Sequence, residues 1–153
     1  MSRHFLAKKE AAEVVSRLQK EKIPIEKGNV EVNETKSADF YFMNGKPLAY
    51  TSDGYLVPAL KMLNELKPSG RFITVDDGAV PRLLNGANLF AQGIVDLDPE
   101  IEPENMAYIR NTQGVYFAIG IVTRSASDIM ANKQGEAVRI IHHASDRIYR
   151  EFG

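Results

Sequence analysis

The run Lys67-Pro68-Ser69-Gly70, near the middle of the chain, most constrains what the chain can fold into. Proline has no amide to give to a helix or a central strand, and Ser-Gly favours a turn. The run ends the apolar pattern before it and divides the 153 residues into two parts, 1–70 and 71–153. Each part must build a small core from short elements. Composition permits this, since 44% hydrophobic and 25% charged residues are ordinary for a globular protein. There is no cysteine, which excludes disulfide scaffolds, thiol catalysis and cysteine-ligated zinc. No stretch approaches about 18 consecutive apolar residues, and the opening MSRHFLAKKEAAEVV mixes charge with apolar residues. Neither a membrane span nor a secretory signal is expected, no membrane partner is expected, and the expected location is the cytoplasm.

In the first part, Ala7, Ala11, Val14, Val15 and Leu18 keep helical spacing between Phe5 and Lys22, and Pro24 stops the helix. Val30 and Val32 alternate with polar residues as a short strand. Asp39–Met43 and Lys46–Tyr50 flank Asn44-Gly45, a hairpin signal. Asp53-Gly54 marks a second turn. Leu56, Ala59, Leu60 and Leu63 then predict one helical face, with Pro58 in its first turn. The second part opens with strand Phe72–Val75. A short helix on Val80, Leu83, Leu84 and Ala87 follows, with Asp77 as its cap and Gly86 at its end. Asn88–Val95 reads as one strand. The proline-containing run 96–104 cannot be a central strand. Met106–Arg110 and Val115–Thr123 read as strands. Ser125 to Asp128 resembles a capping box and predicts a helix to about Lys133. Strands over Ala137–Ile141 and Ile148–Glu151 complete the pattern. The expected fold class is α+β: a small N-terminal domain, then a small, partly closed barrel with two short helices.

Net charge is −1, from 19 Lys+Arg and 20 Asp+Glu, so unselective binding driven by net charge is not expected. Taken by parts, 1–70 carries +2 and 71–153 carries −3, and five acids of the second part lie in the run Asp96 to Glu104. The second part's cations are seven arginines and one lysine. Arginine suits planar contacts with phosphate or bases.

Catalytic chemistry finds little support. No GxSxG or other serine motif accompanies His4, His142 and His143. The adjacent His142-His143 pair predicts one half-buried and one exposed ring on a strand, with stacking on a base or a phosphate contact as the functional alternative. The acidic run lacks the glycine and closing glutamate of an EF-hand loop and reads as solvated. Asp76-Asp77 resembles a magnesium-holding pair, but no GxxxxGK[ST] sequence brings a nucleotide, and helix capping accounts better for Asp77. The segment Gly78–Gly93 is the most informative. It places small residues around one cation, Arg82, with Asn85 on the same helical face. Free backbone groups at Gly86-Ala87 would read a base edge there. Otherwise the glycines only make turns.

That same run, from Val75 to Ile94, resembles the opening of a PUA domain, the RNA-binding module shared with pseudouridine synthases and archaeosine transglycosylases. Ala118–Ser125 and Gly135–Val138 are similar to later parts of that family's pattern, so the resemblance covers about 71–150. Gly54–Asn64, followed by the Val-Asp-x-Gly-Ala start, resembles the T-cell-malignancy-associated translation factor family. That family includes ligatin-related and compact archaeal members with a small pre-PUA domain in front. Its eukaryotic members pair with density-regulated protein, bind the small ribosomal subunit, and act in re-initiation and recycling. The absence of cysteine here removes any zinc-binding pair.

The resemblance implies RNA contacts at Arg82, Asn85, Gly86, Ala87, Asn88 and Leu89, and on returning strands at Val138, Arg139 and His142. Charge adds Arg71, Arg147 and Arg150 as phosphate contacts. No catalytic residue, metal site or cofactor is expected. The expectation is a non-enzymatic RNA-binding protein of translation or RNA maturation, engaging structured RNA (tRNA or rRNA) through 71–153. A translation-factor partner or the small ribosomal subunit would be met through 1–70. The alternatives are a detached RNA-specificity subunit of a transglycosylase or pseudouridine synthase, and a protein–protein adaptor.

Overall fold

The computed structural model describes residues 3–153. The chain forms two units: residues up to Ser69 together with Phe152–Gly153, and Gly70–Glu151. The last two residues were expected with the second part and belong to the first.

The first unit is an antiparallel sheet in the order β1-β2-β3-β4-β5. Its strands are β1 (His4–Phe5), β2 (Glu31–Glu34), β3 (Asp39–Met43), β4 (Lys46–Ser52) and β5 (Tyr55–Pro58). Helix α1 (Lys8–Lys20) buries Ala11, Val14, Val15 and Leu18, the stripe its spacing dictates. Asn44-Gly45 and Asp53-Gly54 both take positive φ at the two central positions, as two-residue hairpins require. The second hairpin corrects the expected helix from Leu56. The Asp-Gly turn returns Tyr55–Pro58 as β5, in register from Ser52↔Tyr55 to Ala49↔Pro58. Pro58 is tolerated because β5 is an edge strand. The helix proper is α2 (Leu60–Leu66).

Phe152 fills an aromatic cluster in this unit. Its ring centroid lies 5.1 Å from Phe40, 5.3 Å from Phe42 and 6.1 Å from Tyr50. The Gly153 carbonyl accepts the Leu60 amide at 3.0 Å, satisfying an N-terminal donor of α2 that no side chain caps.

The second unit holds a six-stranded sheet in the order β7-β11-β10-β9-β6-β8. Its strands are β6 (Phe72–Val75), β7 (Leu89–Phe90), β8 (Ile94–Leu97), β9 (Met106–Arg110), β10 (Tyr116–Val122) and β11 (Glu136–His143). Only the β6–β9 pair is parallel. The expected single strand Asn88–Val95 is divided. Ala91–Gly93 forms one 3₁₀ turn, and the halves pair with different strands, β7 with β11 and β8 with β6. Those halves are the two edges of the sheet. A three-residue link between them obliges the sheet to curl around its core of Ile73, Leu83, Ile94, Ile109, Phe117 and Ile129.

All of β10 is buried. A Cβ on its Gly120 would lie 2.3 Å from Val138 Cγ1 and 2.8 Å from the Arg139 carbonyl, so only glycine fits this crossing with β11. Helix α4 (Ala126–Ala131) is capped by Ser125 Oγ, which accepts the Asp128 amide at 3.1 Å. The expected final strand is instead helix α5 (Arg147–Glu151). Asp146 Oδ1 accepts the Tyr149 amide at 2.7 Å and nucleates it. Among the described residues, no helix is long and apolar enough to cross a membrane.

Truncating Phe152 to alanine is expected to cost about 3 kcal/mol, the usual scale for a buried phenylalanine. Denaturant unfolding followed by tyrosine fluorescence checks this; an unchanged midpoint would contradict the assigned role of Phe152.

Candidate nucleic-acid interface

Helix α3 (Val80–Leu84) starts where Asp76 Oδ1 accepts the Ala79 amide at 2.9 Å. The expected cap, Asp77, instead accepts a bond from the Thr112 hydroxyl at 3.2 Å. Pro81 occupies the first turn, where its missing amide costs nothing. At the other end, the Gly86 amide donates to the Leu83 carbonyl and the Ala87 amide to the Arg82 carbonyl, with Gly86 at φ +89°. This is a Schellman stop, and it demands a left-handed residue at Gly86. It also changes the expected chemistry of the Gly86-Ala87 step. Both amides are already used, which leaves carbonyls as the polar groups of that step.

Asn88 ties the loop to the sheet. Its Oδ1 accepts the Ile140 amide at 2.9 Å, and its Nδ2 donates to Glu136 Oε1 at 2.8 Å. Leu89 then points into the core and Phe90 outward, leaving Phe90 53% exposed. Gly93 brings the following turn against α3, since a Cβ there would sit 3.2 Å from that of Ala79. Together these segments enclose an apolar-floored cavity of about 320 Å³ lined by Arg82, Ala87, Asn88, Leu89, Phe90 and Gln92, among others.

The residues expected at an RNA contact therefore divide. Arg82, Ala87, Asn88 and Leu89 line this one cavity, and Asn85 and Gly86 form the helix stop beside it. Leu89, Val138 and His142 are buried, so their side chains are not surface contacts. Val138 pairs with Leu89 across β7–β11 and packs against Gly120. Arg139, its neighbour on β11, is exposed. Arg71 lies at the far end of β6 from α3, where its amide donates to Asp98 Oδ2 at 2.5 Å. Arg147 pairs with Glu151 at 3.3 Å on α5, and Arg150 is exposed on the same helix. Two further arginines serve the fold. Arg110 bonds Thr74 Oγ1 at 2.8 Å and lies 4.2 Å over the Phe72 ring. Arg124 bonds Asp128 Oδ2 at 2.6 Å and the Gln134 carbonyl at 2.7 Å, and also donates to the Asn132 carbonyl.

The histidine pair follows a bulge. Ile119 faces His142 while Gly120 faces Ile140, so Ile141 is the extra residue. His142 Nδ1 is 2.7 Å from Asp146 Oδ2 in the interior. His143, partly exposed, holds the Ala144 carbonyl at 3.0 Å through Nδ1 and presents Nε2 3.7 Å from where a Gly86 Cβ would stand. The bond to a carbonyl makes Nδ1 the donor and leaves Nε2 an acceptor in the neutral ring. Of the histidine pair the sequence points to His142, whereas His143 is the ring beside Gly86, and Phe90 and Gln92 are additional lining residues. The in–out alternation after Leu89 would have found Phe90; the bulge that turns His143 has no sequence signal.

These geometries define a class: a small curled β domain with one cation and one aromatic ring around a pocket. A PUA domain model matches residues 71–144, and DUF1947, a domain of unknown function, matches residues 2–66. A solved structure, a conserved PUA domain protein from Thermoplasma acidophilum, superposes with a TM-score of 0.91 at 39% identity, covering 99% of this chain and 100% of that one. An uncharacterized protein of Methanocaldococcus jannaschii is 30% identical over 154 residues, 96% of this chain and 94% of that one. Translation machinery-associated protein 20 of Schizosaccharomyces pombe is 25% identical over 116 residues, 72% of this chain and 64% of that protein. The chain belongs to the PUA domain proteins in which DUF1947 precedes the PUA domain, a group with archaeal and translation machinery-associated homologues. This membership supports RNA binding in general.

Burial pushes the Asp146 carboxyl up, but bonds from His142 and from the Tyr149 and His143 amides outweigh it and hold its pKa below the ordinary value. A depressed folded pKa gives stability that is complete above the unfolded value, about 3.9, and fades as pH falls through the folded one. Asp146→Asn is therefore expected to flatten the loss of stability below about pH 4, measured by urea midpoints between neutral and acid pH. An acid limb identical to that of the parent would contradict the assignment.

Proposed function

We propose that this protein is a non-catalytic RNA-binding protein of translation, taking structured RNA, tRNA or ribosomal RNA, into the cavity beside α3. The observation that carries this reading is Arg82. Its guanidinium is exposed on the wall of an apolar-floored pocket and has no hydrogen-bond or ion-pair partner among the described residues, with Phe90 open on the same wall. Arg82 neutralises a phosphate, Phe90 offers a stacking face, and the carbonyls of Gly86-Ala87 and His143 Nε2 accept from a base edge. Arg139 adds a cation on β11, and Arg150 extends the phosphate contacts along α5. The first unit meets a protein partner or the small ribosomal subunit, in the cytoplasm. On this reading binding itself is the activity.

Filter binding or fluorescence anisotropy with a tRNA and a ribosomal RNA hairpin tests this at about 50 and 200 mM salt. Arg82→Glu is expected to weaken binding by about tenfold or more at low salt and to lower the salt slope by about one unit, with an unchanged circular dichroism spectrum. No saturable binding of either RNA by the parent protein at low salt would overturn the reading.

A further inference from the structure

A second exposed feature of the PUA domain shares no lining residue with the Arg82 cavity. Val95 on edge strand β8 and Met130 on α4 are 53% and 55% exposed, and with Leu97, Pro99 and Ala126 they line a groove of about 400 Å³ with Asp96 at its side. The acidic run, read from the sequence as a solvated loop, does expose four of its five acids, and backbone bonds fix it as a ribbon next to this groove. Ile101 is buried in the core, and its carbonyl accepts the Ala126 amide at 2.9 Å, which fixes the ribbon against the first turn of α4. Asp98 is buried and holds the Arg71 and Glu100 amides. Glu102 donates its amide to Asn105 Oδ1, and Glu104 donates its amide to the Val122 carbonyl.

The ribbon thus presents Asp96, Glu100, Glu102 and Glu104 to solvent, and none of these carboxylates has a cationic partner among the described residues. Of the nearby cations, Arg71 is tied to Asp98 through its amide, Lys133 donates to the Ile94 carbonyl at 2.7 Å, and Arg124 is bound to Asp128. Like charges held rigidly together repel one another unless something cationic relieves them. Exposed apolar side chains beside them gain by being covered. Nucleic acid and an anionic membrane are both repelled by this charge.

We propose that this groove docks a cationic protein segment, which seats an apolar side chain between Val95 and Met130 while its lysines or arginines meet Asp96, Glu100, Glu102 and Glu104. The site is separate from the cavity at Arg82, so the domain holds RNA on one surface and a basic protein on another. Because the ribbon is already ordered, docking costs little rearrangement there, and the long-range charge speeds encounter.

The probe is an acetylated, amidated peptide Lys-Arg-Lys-Leu-Arg-Lys-Arg, titrated into the full ¹⁵N-labelled chain, with the same peptide carrying serine for leucine as its control. The leucine peptide is expected to shift amides within 94–104 and 126–130 and to bind about tenfold more tightly than the serine peptide, the scale of burying one aliphatic side chain. Joint replacement of Glu100, Glu102 and Glu104 by lysine is expected to weaken it about tenfold, while RNA affinity at the Arg82 site does not fall. Equal affinity for the two peptides, shifts outside those segments, or no saturation would each overturn the proposal. A dimer of the chain in sedimentation that Val95→Asp abolishes would also overturn it, by assigning the groove to a second copy. Loss of RNA binding by Arg82→Glu leaves this result untouched, so the two readings fail separately.

Discussion

The three-residue turn Ala91–Gly93 is the constraint on which the PUA domain depends. It joins the two edge strands of one sheet, so the sheet has no choice but to curl. The same turn closes the cavity. Gly93 passes its carbonyl to the Asp76 amide at 2.9 Å and its bare Cα against Ala79, which draws β8 under the start of α3. On the other side, the Ala91 amide reaches the Gly135 carbonyl at 2.8 Å, which fixes β7 to the start of β11. The curl of the sheet and the pocket thus share one turn, and the exposed Phe90 is held immediately before it.

The charged side chains then divide by the contacts they make. Seven arginines look like one nucleic-acid footprint when counted along the sequence. In space, Arg110 and Arg124 are structural clamps, Arg147 is an exposed helix pair, and Arg82 stands in the pocket wall. An exposed pair such as Arg147 with Glu151 contributes little to stability. The acids divide in the same way. Asp76, Asp98 and Asp146 hold backbone amides and shape turns, while Asp96, Glu100, Glu102 and Glu104 remain outside. The net charge of −1 is thus the balance of +2 on residues 1–70 and −3 on residues 71–153, where the run from Asp96 to Glu104 supplies five of the acids.

How much of this is legible in the sequence depends on whether the deciding interaction is local. The Asn44-Gly45 hairpin, the α1 stripe and the Ser125 cap are local, and the structure has them where their residues stand. The place of the pocket is legible too, because its lining comes from the single segment 79–93. The stripe of Leu56, Ala59, Leu60 and Leu63 fits a helix, and only pairing of β5 with β4 selects the strand for Leu56. Asn88–Val95 looks continuous because its division is decided by two distant strands, β11 and β6. Ile148–Glu151 has strand-like residues, but the Asp146 carboxylate commits them to a helix. The choice between His142 and His143 is set by a bulge opposite Gly120, which no spacing within β11 reveals.

The central claim is that RNA enters the pocket made by this closure. Its most direct measurement is an amide chemical-shift map of the ¹⁵N-labelled chain titrated with a tRNA. Saturable perturbations are expected at residues 82–92 and 139–143, with residues 94–104 unmoved. Perturbations confined to residues 3–69, or centred on the acidic ribbon while 82–92 stay still, would contradict it.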